Sequence, residues 1–111
     1  MTLPEALEQV CAVLGSTSPS VADVERAASR AGFGDARVVA TDDGILSHAD
    51  LGLAEPVPVA VLREAFGEPA EPPRLHYDRP RSLIFRLANC AVIARVADGD
   101  EASEITLRRD V

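Results

Sequence analysis

The chain of 111 residues has no lysine and no tryptophan, and its aromatic residues amount to three Phe and one Tyr. All eleven basic residues are therefore arginine, which, with abundant Ala, Val, Asp and Pro, is the usage of a GC-rich bacterial genome. With aromatics at 4%, a core has to be built from Val, Leu, Ile and Ala. No apolar run approaches the ~18–20 residues of a membrane span. The opening "MTLPEALEQV" lacks the basic and apolar regions of a secretory signal, so a cytoplasmic protein is expected. Cysteine is confined to Cys11 and Cys90, without C-x-x-C spacing or secretory context, which predicts two reduced, packed thiols in preference to a disulfide or a zinc site. A Gly-rich phosphate loop, G-x-S-x-G and H-E-x-x-H are all missing. Binding is expected before catalysis, and no cofactor is implied.

Net positive charge is also lacking. A formal charge of −7 argues against nucleic-acid binding, which needs a basic surface to displace phosphate counterions. The charge is unevenly placed, since residues 1–71 hold twelve acids against four arginines and residues 72–111 hold six against seven. The C-terminal third can thus present a local arginine surface. A hydrophobic content of 47% with 26% charge belongs to an ordinary globular chain, long enough for one domain over 1–111.

The pattern predicts an α+β fold, with two N-terminal helices and a third helix packed on an antiparallel sheet that ends in a three-stranded C-terminal meander. Thr2 to Glu5 has the form of a capping box, followed by Leu3, Leu7, Val10 and Leu14 at helical spacing and Gly15 as a stop. Ser20 to Asp23 opens a second helix that runs to Gly32. "ARVVAT" reads as a strand and "DDG" as a turn, with 45–53 as the returning arm of a hairpin weakened by Gly52. A third helix follows Pro58, with Val59, Leu62 and Phe66 on one face and Gly67 as its end. "SLIFRL", "CAVIARV" and "EITLRR" alternate with period two. A turn at Ala88-Asn89 pairs Leu87 with Cys90, Phe85 with Val92 and Leu83 with Ala94, so one register puts every apolar group on one face. Helices two and three both lead through Phe-Gly into strands holding one His-x-Asp, a faint internal echo.

Two patterns offer chemistry. On a strand, H-x-D places both side chains on one face, so His48, Asp50, His76 and Asp78 could hold a divalent metal if their segments met. That supplies the alternative reading of a small enzyme or metal- or ligand-binding domain. Asp78 stands beside Arg79 and near Arg81, and a surface ion pair is its simpler role. Cys90 with His76 as base would make a nucleophile, but Cys90 shares the apolar parity of Val92 and Ala94, where a thiol is inert.

The other face of the C-terminal strands is the stronger candidate. There Ile84 lies opposite Ile93, flanked by Arg86 and Arg95, with Thr106 and Arg108 from the third strand. Arginine beside apolar side chains is the composition enriched at protein interfaces. The alternative is a face covered by a helix or by a second copy of the chain. Glu5, Glu8, Asp23, Glu25, Asp42 and Asp43 form an acidic surface that could meet a basic partner. "PSVADVERAASRAGF" resembles a helix-turn-helix, but Asp23 and Glu25 would repel phosphates.

A helix ending in "FGEP" ahead of antiparallel strands resembles, over residues 57–109, the helix-plus-sheet module of the β-lactamase-inhibitor-protein and BamE/OmlA-like families. That resemblance implies a protein-binding or inhibitory role exerted through a surface. The expectation is a small bacterial protein of immunity, inhibitor or chaperone kind. It would bind another protein or itself through Ile84, Arg86, Ile93, Arg95 and Arg108, with no nucleic acid or membrane as partner.

Overall fold

The computed structural model describes residues 2–72, 81–88, 90–96 and 99–109. The first helix, α1, spans Leu3–Leu14, where the Thr2 hydroxyl accepts the Glu5 N–H at 3.3 Å and Gly15 donates to the Cys11 carbonyl at 2.8 Å. Its inner stripe of Ala6, Leu7, Val10, Cys11 and Leu14 is buried, each large side chain contributing about 1.5–3 kcal/mol by leaving water. Helix α2 spans Val21–Arg30 and is capped by Ser20, which accepts the Asp23 N–H at 3.1 Å. It stops because Gly32 takes φ +92°, which lets Gly32 donate to Ser29 and Phe33 to Ala28 in a Schellman motif.

Strand β1 covers Ala36–Ala40 and β2 covers Leu46–Pro58, with Gly44 at φ +81° in the turn between them. The hairpin expected over 45–53 is therefore present, but its second arm is longer than its alternation suggests. The "AEPVP" stretch continues the strand past an irregularity between Gly52 and Val57 before α3 begins at Val59–Phe66. Strands β3 (Arg81–Arg86), β4 (Cys90–Val96) and β5 (Glu101–Arg109) form the expected meander. Its register is the one the apolar parity demands, with Leu83 opposite Ala94, Ile84 opposite Ile93 and Phe85 opposite Val92.

All five strands join one antiparallel sheet in the order β1-β2-β5-β4-β3. The β2/β5 pairing welds the early hairpin to the meander, aligning Leu51 with Ile105 and Ala49 with Leu107. The inner sheet face and the helices share one core, from Leu7, Val10 and Leu14 through Val24 and Leu62 to Phe85, Val92, Ile105 and Leu107. Phe66 meets Phe85 edge-on at 6.2 Å between ring centres, one of few aromatic contacts such a composition allows.

One expectation is overturned. Cys11 and Cys90 are not separate thiols but a disulfide joining α1 to β4, with Cα atoms 5.9 Å apart. Strand parity had placed Cys90 toward the core; Cys11 lies on the buried stripe of α1, and the docking of α1 across the sheet brings the two together.

Candidate functional site, the outer face of the sheet

The helices lie on one side of the sheet, and alternation sends the remaining strand side chains to the other. The registers align these side chains in rows across the strands. The central row is Arg37, Asp50, Thr106, Ile93 and Ile84, one residue from each strand. The row beside it is Val39, His48, Arg108, Ala91 and Arg86. On the other side run Gly52, Glu104, Arg95 and Ser82. The expected surface residues Ile84, Arg86, Ile93, Arg95 and Arg108 are thus neighbours on one face. Ile84 and Ile93 are half-buried, while Arg86 and Arg108 are exposed on either side of a fully buried Ala91. Arginine stems lying along an apolar strand explain such burial.

A polar chain crosses this face. Thr106 donates from Oγ1 to Asp50 Oδ1 at 2.6 Å, and Arg95 Nη1 donates to the same Thr106 oxygen at 3.1 Å. Arg95 also lies 3.6 Å from Glu104, and His48 Nε2 is 3.9 Å from Asp50 Oδ2. His48 and Asp50 therefore do share a face, as an H-x-D on a strand requires. His76 and Asp78, by contrast, lie outside the described residues. Among the described residues no group of three His, Cys, Asp or Glu side chains is arranged to hold a metal ion. The nucleophile reading of Cys90 fails, because its sulfur is buried and bonded to Cys11.

The face is hollowed next to Gly52. An open depression of about 640 Å3 lies between Asp35, Arg37, Asp50, Arg95, Glu104 and Thr106. Gly52 supplies no side chain to fill it, and a Cβ there would stand 3.3 Å from the Asp35 Cβ. Arg37 and Asp50 were not foreseen as parts of this surface. The parity of "ARVVA" could have indicated Arg37, whose neighbours Ala36 and Val38 pack against the core. Asp50 needed the β2/β5 register, which no local pattern encodes.

This is an α+β protein in which, among the described residues, three helices lie on one face of an antiparallel sheet and leave an open, arginine-bearing face on the other. No known protein family matches the chain, and no curated protein matches its sequence. Among solved structures it is similar to a DUF4309 family protein, YjgB, from Bacillus subtilis, with a TM-score of 0.63 over 96% of this chain and 97% of that one. At 11% identity the likeness shows a common fold and nothing about activity. No helix among the described residues is long and apolar enough to cross a membrane.

Proposed function

We propose that this protein acts by binding another protein on the outer face of its sheet, as an immunity-, inhibitor- or chaperone-like factor, and catalyses no reaction. The observation that carries this reading is the Ile84/Ile93 pair, half-buried on the β3/β4 side of a face that no described helix covers. Arg86, Arg95 and Arg108 surround it. Planar guanidinium groups form bidentate contacts with a partner's carboxylates while the isoleucines exclude water from the centre. The surface-acting role implied by the resemblance of residues 57–109 to inhibitor and BamE/OmlA-like modules is part of the same proposal.

The disulfide changes the expected location. Structural disulfides persist in oxidising compartments and are rare where glutathione keeps thiols reduced. The Cys11–Cys90 bond therefore favours action in an oxidising compartment over the cytoplasm.

The test is affinity capture from native lysate and from culture supernatant, repeated with the double variant Arg86→Glu and Arg95→Glu. A partner retained by the wild type and lost by a folded double variant supports the outer face as the binding surface. Equal retention by both removes it.

A further inference from the structure

The two edges of the sheet are finished differently. On the β3 side, Ala70 exchanges both backbone hydrogen bonds with Ile84, at 2.9 and 2.8 Å, and Glu71 binds Arg81 Nε at 2.5 Å. That edge is bridged by the chain itself at Ile84. On the β1 side nothing comparable occurs. Gly52 donates to the Asp35 carbonyl at one end of the β1/β2 ladder and Thr41 donates to the Ile45 carbonyl at the other, both at 2.8 Å. Odd-numbered residues of β1 thus address β2, and Ala36, Val38 and Ala40 direct their N–H and C=O groups away from the sheet. No backbone partner meets those groups among the described residues. β1 holds no lysine, proline or inward charge; its blunting features are its five-residue length, Arg37 and the register shift between Val39 and Ala40, and they leave the outward groups of Ala36 and Val38 in a regular stretch of strand.

We propose that β1 pairs antiparallel with β1 of a second copy of this chain, extending one sheet through a symmetric dimer. The strand is suited to itself. Centring Val38 on its symmetry mate overlaps the whole of Ala36–Ala40, sets Ala36 against Ala40, and sets Arg37, the strand's one charge, against Val39. Arg37 is never directly opposite its own copy, and the side chains nearest the new ladder are small. Because a two-fold pairing uses the β1 edge of both copies, it ends at two copies. A short ladder gives a weak, concentration-dependent dimer. This surface is distinct from the proposed partner face, and each can fail without the other.

Mass in solution measured from about 5 to 500 μM, with amide exchange read by NMR at both ends of that range, tests the pairing. The expected result is a rise from monomer toward twice the monomer mass, with slowed exchange of the Val38 amide that appears only at high concentration. Val39→Arg, placed against Arg37 of the other copy, should weaken the dimer roughly fivefold, and Val39→Glu should tighten it by a similar factor, because each pair occurs twice. A merely structural effect would not reverse sign with charge. Arg86→Glu with Arg95→Glu should leave the dimer intact. A monomer throughout the range, a dimer whose Val38 amide exchanges freely, or Val39 variants that shift together would each overturn the proposal.

Discussion

Thr106 and Asp50 lie 56 positions apart in sequence and are joined by a 2.6 Å hydrogen bond between β5 and β2. The bond sits on the seam that unites the early hairpin with the C-terminal meander. Thr106 is 5% exposed and is the one buried polar residue among those described. It is satisfied twice over, by giving its proton to Asp50 and by accepting from Arg95.

Thr106→Val keeps the shape and removes both bonds. Hydrogen bonds to charged groups contribute about 1.5–3 kcal/mol, but the Asp50 side chain is 42% exposed, so water replaces part of what is lost. A destabilisation of about 1 kcal/mol is expected from urea unfolding, with Thr106→Ser closer to wild type. A Thr106→Val midpoint equal to wild type would show that the bond adds nothing to the seam.

The disulfide closes a loop between residues 79 apart in sequence. Restricting the unfolded chain over such a span stabilises the fold by about 2–4 kcal/mol. Reduction, or Cys11→Ala with Cys90→Ala, should lower stability by that amount without dismantling the sheet. Alkylation in denaturant is the chemical check. Without reductant neither cysteine should react, and after reduction both should.

The meander was legible because period-two alternation admits one register. Moving "SLIFRL" by one residue against "CAVIARV" would bring Phe85 to the side of Arg95. The helix ends were legible because Thr2, Ser20, Gly32 and Gly67 are local signals read within a few residues. The β2/β5 seam was not, since several alternating segments satisfy the same parity and only the packing of the whole core selects the partner. The disulfide was hidden for a similar reason. Leu7, Cys11 and Leu14 define a buried stripe, and Cys90 shares the parity of Val92, but neither pattern says that the stripe crosses that strand. Two core-facing cysteines in a chain with no others were the available signal. Compartment reasoning from spacing outweighed it.

Gly67 ends α3 at φ +86° and ψ −166° while donating its N–H to Arg63 at 2.8 Å. Nothing stands within 4 Å of where its Cβ would be, so the cost of a side chain is purely that of the backbone conformation. Gly67→Ala should cost about 1–3 kcal/mol, seen as a lower melting temperature. Gly34 has equally open surroundings without positive φ, and Gly34→Ala should be close to neutral. Equal effects at the two positions would refute the conformational explanation.

Asp23 sits in the first turn of α2, where the Ser20 side-chain hydrogen bond, and after it the charge and hydrogen bond of Arg26, hold its carboxyl below the ordinary value of 3.8. A carboxylate with a lowered folded-state pKa favours folding at pH values above its unfolded pKa, and that contribution fades as pH falls through the folded value. The Asp23 side chain is 46% exposed, so the effect is one of pKa direction and confined to acid pH. NMR titration should find Asp23 below 3.8 in the wild type, moving upward in Ser20→Ala and less so in Arg26→Ala. Ser20→Ala also removes the acceptor for the Asp23 N–H, so the start of α2 should fray at every pH, while the titration shift reports the carboxylate alone. An Asp23 pKa unmoved by Ser20→Ala would mean that the capping hydroxyl does not govern this group.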